Sequence, residues 1–154
     1  MMKKIKYLTI WVSLVFLFGC GYVPLMKTEK INFYISDLKL SGEREINNSI
    51  SKNLENYQNY NENKKPIKVY IKSDFIKSVV NKDRSGNPKN YKISIKLSLT
   101  IINSEGKEIS KNFERFGSFS SQSKKTTEKE IENKYKIDLS NLISKDVILF
   151  IRNQ

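Results

Sequence analysis

The sequence contains no histidine and only one cysteine in 154 residues. Histidine is the commonest general base, and histidine and cysteine supply most nucleophile–base pairs and most structural zinc sites. The acidic residues stand singly among lysines, so an enzyme would need folding to bring two carboxylates together in a cleft. We therefore predict that the protein is not an enzyme and holds no catalytic residues, metal or cofactor.

The single cysteine, Cys20, directly follows the longest apolar run. Lys3, Lys4 and Lys6 precede this run, which covers residues 8–18 and contains one threonine and one serine. A basic start followed by about 7–15 apolar residues is typical of a secretory signal peptide. A membrane-spanning helix needs about 20 apolar residues, so this run is too short for a permanent anchor. The sequence therefore predicts export.

Residues 17–20, Leu-Phe-Gly-Cys, resemble the bacterial lipobox, in which the cysteine is acylated and becomes the new N-terminus. Lipidation at Cys20 predicts a signal peptide over residues 1–19, a lipidated tether over 20–30 and a single domain over 31–154. Glycine, and not aspartate, follows the cysteine, which by analogy with lipoprotein sorting favours the outer membrane. The alternative is an ordinary signal peptide with an unpaired thiol, a liability in an oxidising compartment.

The formal net charge is +12, and removing the three lysines of the signal peptide leaves +9. Such a charge predicts an anionic partner. An exported chain has little access to nucleic acid, so we expect anionic lipid, phosphorylated glycolipid or an acidic protein surface instead. Asn, Lys and Ile are frequent throughout the chain, and compositional bias is an alternative source of part of this basicity.

Hydrophobic periodicity changes several times in the first half of the domain. Alternation predicts a strand over about 31–38, helical spacing predicts a helix from Glu43, and alternation resumes in a second strand from Ile67. Ile76 and Val80 fall out of phase with that strand and predict a bulge. The stripe of the helix consists of Ile46, Ile50, Leu54 and Tyr57.

Residues 91–101 alternate most regularly, with apolar side chains on one face and Lys, Ser and Thr on the other. One face is therefore buried and the other is wet, as antiparallel sheets allow.

The segment NSEGK predicts a hairpin loop that places Ile101 opposite Ile109 in a fourth strand. In that register Lys111 and Arg115 point toward the apolar side. Inward charges are one device that protects edge strands from pairing with other chains, so we expect this strand at an edge of the sheet or bulged near Phe116.

The last predicted element is a long helix. Thr127 and Glu130 have the spacing of a capping box at its start. Its apolar stripe consists of Ile131, Tyr135, Leu139, Leu142, Ile143, Val147 and Ile151. The predicted order is β-α-β-β-β-α, an α+β fold of two layers in which two helices pack on one face of a four-stranded sheet.

The lipobox, the segment CGYVPL at its cysteine and this order of elements together resemble the outer-membrane LPS-assembly lipoprotein family, known as LptE. Two further segments carry the resemblance: NKDRSGNPKNY before the third strand and FERFGSFSSQSKKTTEKE before the last helix. The likeness covers residues 17–152.

The resemblance implies a lipoprotein that plugs a large outer-membrane β-barrel, supports assembly of this LPS translocon, and binds lipopolysaccharide during its delivery to the cell surface. It also implies attachment to the membrane through the lipid anchor, with the domain facing the periplasm or lying in the barrel lumen. The alternative is a generic envelope lipoprotein that binds a periplasmic protein or a cell-wall polymer.

Two basic groups lie where the family pattern places its lipopolysaccharide contacts. Phosphates of lipid A need exposed cations, and free N–H groups at the start of a helix also favour anions. The alternative is that these are ordinary turn residues in a lysine-rich chain. The two groups are Lys82, Arg84 and Lys89 before the third strand, and Lys124 and Lys125 before the last helix.

Overall fold

The computed structural model describes residues 31–154. The predicted signal peptide, the lipidation at Cys20 and the tether therefore lie outside the described residues.

Four strands and two α-helices follow one another in the predicted order, which confirms the α+β assignment. A short 3-10 turn extends the first helix. The elements are β1 (Phe33–Gly42), α1 (Arg44–Leu54, then the 3-10 turn Glu55–Tyr57), β2 (Lys65–Lys82), β3 (Pro88–Ile102), β4 (Glu108–Ser120) and α2 (Lys125–Arg152).

The strands form one sheet in the order β1-β2-β3-β4. β1 runs parallel to β2, because α1 carries the chain back between them, and the other two pairs are antiparallel hairpin neighbours. Ile101 pairs with Ile109 as predicted, and β4 lies at an edge of the sheet. The register of β4 continues without irregularity through Phe116, so the edge position is the correct alternative.

The core lies between the two helices and one face of the sheet. β3 contributes most to it, since its alternating apolar residues are buried along its whole length, and Leu97 is 1% exposed. The other main contributions come from the stripe of each helix and from the inward face of β2. These residues are Ile46, Ile50 and Leu54 on α1, Leu139, Ile143, Val147 and Ile151 on α2, and Ile67, Val69 and Ile71 on β2. Leu142, predicted in the α2 stripe, is 47% exposed and is not part of the core.

The predicted bulge in β2 is placed correctly at Val80 but not at Ile76. The register steps from Val79 to Asn81 and leaves Val80 without a partner. Ile76, in contrast, pairs regularly with Ser94 on the solvent-facing side of the sheet. Ile76 is out of phase with the alternation of β2 because it is an exposed apolar residue, and the strand is regular at this position.

The predicted capping box is wrong. α2 already begins at Lys125, Lys124 occupies the N-cap position without a side-chain cap, and Thr127 lies inside the first turn. The buried carboxylate of Glu128 bonds outside the helix instead, accepting a hydrogen bond from the backbone N–H of Gln122.

The two helices contact each other partly through polar side chains. Asn141 on α2 accepts hydrogen bonds from Ser49 Oγ (3.0 Å) and Asn53 Nδ2 (2.8 Å) on α1, and Asn53 also donates to Ser144 Oγ. Small serines at Ser140 and Ser144 face this contact, so helical apolar spacing alone describes only part of the α2 interface.

Candidate functional site

The turn between β2 and β3 lies beside the loop that leads from β4 into α2. Pairing of Asn90 with Ser120 continues into a backbone hydrogen bond from Ser121 N–H to the Lys89 carbonyl, 2.9 Å long. The two segments enclose a surface concavity of about 590 Å³. We call it the basic concavity; it is lined by Lys82, Asp83, Arg84, Pro88, Lys89, Ser121, Gln122 and Ser123.

The structure brings the two predicted basic groups to the same end of the sheet. Lys82, Arg84 and Lys89 line the basic concavity directly. Lys124 follows Ser123 in the opposite wall and occupies the N-cap position of α2, and Lys125 begins that helix. Forty residues separate Arg84 from Lys124 in sequence, so the β3–β4 hairpin is what brings them together.

Most of these cations are free to meet a ligand. Within residues 31–154, Lys82, Arg84, Lys89 and Lys124 form no ion pair, and all four are exposed. Lys125 Nζ lies 3.9 Å from Glu128 Oε1, so part of its charge is already balanced. The basic concavity therefore presents concentrated positive charge to solvent.

Asp83 is the acidic residue in the lining of the basic concavity, and its carboxylate is used to close the turn. It accepts hydrogen bonds from the backbone N–H groups of Asn87 and Ser85, each 2.9 Å long. The backbone hydrogen bond from Asn87 is the largest cause that lowers the pKa of Asp83. Asp83 therefore stays ionised and fixes the shape of the turn that carries Lys82 and Arg84.

Glu128 holds the opposite wall in place from beneath. Glu128 is 5% exposed, and its carboxylate accepts a hydrogen bond from Ser121 Oγ (3.3 Å) and is paired with Lys77 Nζ at 3.1 Å. Burial raises the pKa of Glu128, but the hydrogen bond and the charge of Lys77 outweigh burial, so the pKa lies below its ordinary value. The ionised carboxylate thus ties Ser121 and Gln122 to β2.

The same ionic network extends to α1. Lys77 also binds Glu132 at 2.9 Å, and Lys136 contacts Glu132 (3.7 Å), Glu43 (3.2 Å) and Glu45 (3.1 Å). Two lysines are therefore shared among carboxylates of α2 and of the start of α1. Hydrophobic periodicity places these charged residues on the surface, so the sequence pattern did not indicate the network.

The face of the sheet away from the helices is open, as predicted for β3. It exposes Lys92, Lys96 and Ser98, while Ser94 is covered because its hydroxyl donates to Glu114 of β4. Phe116 and Ile76 are apolar exceptions to this polar character: Phe116 is 66% exposed, with Lys92 Nζ 4.5 Å from its ring centre, and Ile76 is 44% exposed.

The described residues contain no cluster of His, Cys, Asp and Glu with the geometry to hold a metal ion. Neither α1 nor α2 combines the length and the apolar character that crossing a membrane requires.

The sequence analysis missed the wall of the basic concavity that the loop before α2 forms. Ser121, Gln122 and Ser123 line the basic concavity but were not predicted as site residues. The predicted pairing of Ile101 with Ile109, extended along the hairpin, already places Lys89 opposite Ser121. The predicted register of the β3–β4 hairpin was therefore sufficient to identify this wall.

Comparison with known proteins identifies structures with a similar fold but does not assign the chain to a family. No protein-family model and no curated protein matches the chain. Among solved structures, it is similar to rare lipoprotein B from Shewanella oneidensis, with 12% identity over 76% of this chain and 97% of the other, at a TM-score of 0.54.

Two further structures show the same likeness. A minor lipoprotein from Acinetobacter baumannii is 11% identical over 80% of this chain and 92% of its own, at a TM-score of 0.58. Lipoprotein B from Nitrosomonas europaea is 10% identical over 75% of this chain and 79% of its own, at a TM-score of 0.51. The chain shares the fold of these bacterial lipoproteins.

Proposed function

We propose that this protein is an outer-membrane lipoprotein that binds lipopolysaccharide at the basic concavity while it supports a large β-barrel LPS translocon. The role is non-enzymatic. The observation that carries the proposal is the convergence of Lys82, Arg84, Lys89 and Lys124 at one end of the domain, without ion pairs among residues 31–154. The lipobox-like start and the fold shared with bacterial lipoproteins support it.

The basic concavity matches the chemistry of a phosphorylated sugar headgroup. Its volume of about 590 Å³ lies in the usual range for small-ligand sites. Arg84 can bind two phosphate oxygens through its planar fork, whereas Lys82 and Lys89 act as point charges. Lys124 adds its charge at the start of α2, where free backbone N–H groups favour anions.

The open face of the sheet supports the proposed partner. The lumen of a large transmembrane barrel is polar and lined by water, and side chains such as Lys92, Lys96 and Ser98 are compatible with it. Antiparallel sheets also leave one face in water without any partner, so this support is weaker than that of the basic concavity.

The decisive experiment measures lipopolysaccharide binding by a variant in which Lys82, Arg84, Lys124 and Lys125 are replaced by Ser. Exposed charge pairs contribute about 0.5 kcal/mol each, so four should weaken binding about tenfold or more. Wild-type binding should also weaken steadily with salt, because exposed charges are screened over about 10 Å at 0.1 M. The matched control replaces four exposed lysines outside the basic concavity: Lys68, Lys72, Lys96 and Lys107.

Equal binding by wild type and the basic-concavity variant would overturn the proposed site, and so would equal weakening in the control variant. Enzymatically dephosphorylated lipopolysaccharide should bind wild type as weakly as intact lipopolysaccharide binds the variant. Purification of the detergent-solubilised lipoprotein tests the second half of the proposal. A large outer-membrane barrel should accompany it; a periplasmic protein or cell-wall polymer in place of a barrel would favour the generic envelope role instead.

A further inference from the structure

The strand β2 is much longer than the neighbour that covers its outer side. β1 ends where Gly42 pairs with Ser73, but β2 continues to Lys82. In the described part of the chain, residues 74–82 pair with β3 alone. This half of β2 is therefore a free edge of the sheet. We call residues 74–79, which precede the bulge at Val80, the β2 edge; at about 3.3 Å per residue it is about 20 Å long.

The backbone of the β2 edge has a defined direction. The Ser73 carbonyl points to the outer side of the strand, since it accepts the N–H of Glu43 at 3.4 Å. Backbone groups alternate between the two sides along a strand. Phe75, Lys77 and Val79 therefore direct their N–H and C=O groups outward, where a further strand would bond them.

The side chains of the β2 edge include apolar groups on both faces of the sheet. Ile76 is 44% exposed on the open face, and Val79 is 42% exposed on the helix face. Val80, at the bulge that ends the edge, is 60% exposed. Exposed apolar side chains beside free backbone groups are features through which sheet edges bind extended peptides.

Two devices commonly protect such edges, and neither blocks this one. The inward charge of Lys77 is held on the helix face by Glu128 (3.1 Å) and Glu132 (2.9 Å), so its ammonium does not cross the edge. The bulge at Val80 lies beyond the regular stretch and leaves six residues undistorted.

We propose that the β2 edge binds an extended segment of a partner protein, which pairs with Phe75, Lys77 and Val79 as an added strand. The charge at the start of the edge and the apolar side chains along it indicate the chemistry of the partner. Asp74 begins the edge and forms no ion pair within residues 31–154. The segment therefore carries a basic residue near Asp74 and apolar residues beside Ile76 and Val79.

A second copy of this chain fits the β2 edge less well. An antiparallel pairing that uses all three outward-facing residues places Phe75 opposite Val79 and Lys77 opposite Lys77 of the copy. Each Lys77 is held by Glu128 and Glu132, so two ion clusters of like net charge would lie opposite each other, and like charges destabilise a strand pair. The inference goes beyond the proposed function, because it requires neither lipopolysaccharide nor a barrel.

The test places a photoreactive benzoylphenylalanine at Ile76 or Ser78 of the full-length lipoprotein in its native envelope. Both positions face the open side of the β2 edge, two residues apart. In an added strand they should label one segment of one protein at sites two residues apart, as identified by mass spectrometry. The matched control position is Lys68, which lies on the same strand and face but is covered by β1 through Asp37.

Val79→Pro provides a second measurement, because it removes an outward N–H without removing a bond to β3. It should lower the cross-link from position 76 about tenfold, whereas Val79→Thr, which keeps the N–H, should leave it unchanged. The melting temperature of each variant checks its fold.

Scattered labels, labels confined to a second copy, no labels, or equal labelling from Lys68 would each overturn the inference. The outcome is separable from that of the proposed function, since Val79 does not line the basic concavity. Val79→Pro should therefore bind lipopolysaccharide as wild type does, whatever happens to the cross-link.

Discussion

Lys77 on β2 and Glu128 on α2 form an ion pair at 3.1 Å across 51 residues of sequence, and the carboxylate of Glu128 also binds Ser121 in the wall of the basic concavity. One buried charge thus connects the sheet, the last helix and the candidate site. Stability of the domain and the shape of the concavity consequently depend on the same residue.

Glu128→Gln should lower the free energy of unfolding at pH 7 by about 1–3 kcal/mol, because it removes a charged acceptor and leaves Lys77 with Glu132. The folded pKa of Glu128 is depressed, so its stabilisation is present above the unfolded pKa and is lost as pH falls through the folded pKa. Urea unfolding at neutral and acidic pH should therefore show a difference from wild type that shrinks toward low pH.

The control for this variant is Glu130→Gln, two residues along on the exposed side of α2. It removes the same charge from a residue that forms no ion pair in the described region, and it should change stability by less than about 0.5 kcal/mol. A similar loss in both variants would mean that overall charge, and not the Lys77 pair, is responsible.

Leu97→Ala should cost roughly 2–5 kcal/mol, because Leu97 is fully buried in the middle of β3 and its removal leaves a cavity. Ser98→Ala, one residue further on the open face, should cost little. Chemical denaturation of the two variants in parallel measures the difference. Equal costs would contradict the assignment of the two faces.

Cys20→Ala should leave the protein unprocessed or soluble, since acylation at this residue is what would attach it to the membrane. Membrane fractionation of wild type and variant measures the change, and mass spectrometry of the wild-type N-terminus provides the direct check. An intact, unacylated N-terminus in wild type would contradict the predicted location.

The sequence predicted the elements well where burial and periodicity coincide. β3 is the clearest case: it is flanked by strands on both sides and covered on one face, so its alternation from Tyr91 to Ile101 reports burial directly. Ile76 shows the limit. Beyond Ser73 the neighbouring strand ends, and alternation cannot indicate that an apolar residue is left exposed at a free edge.

The candidate site was predictable in part for a similar reason. The hairpin register, which local sequence determines, brings Lys89 beside Ser121. The Lys77–Glu128 pair was not predictable, because an ion pair between distant elements leaves no periodic signal. The capping box failed although Thr127 and Glu130 have its spacing, because α2 begins two residues earlier, at Lys125, and Glu128 in its first turn is held by a tertiary contact with Lys77.

Gly42 and Gly86 offer a final comparison between two glycines with similar backbone angles. Both have positive φ, +101° and +85°, so an alanine at either position is strained by about 1–2 kcal/mol. They differ in their surroundings. A Cβ at Gly42 would lie 1.8 Å from the Ser73 carbonyl oxygen, where β1 ends and α1 begins, whereas a Cβ at Gly86 would meet open space.

Gly42→Ala should therefore destabilise the domain by roughly 3 kcal/mol or more, since strain and a backbone clash add, while Gly86→Ala should cost only the strain. Thermal unfolding of the two variants measures the difference. The clash falls on the carbonyl that accepts the Glu43 N–H, so relief requires β1 and the start of α1 to move away from β2. Equal costs at the two glycines would mean that the backbone at Gly42 moves away from Ser73 at little cost. The end of β1, after which β2 has a free edge, would then not be rigidly positioned.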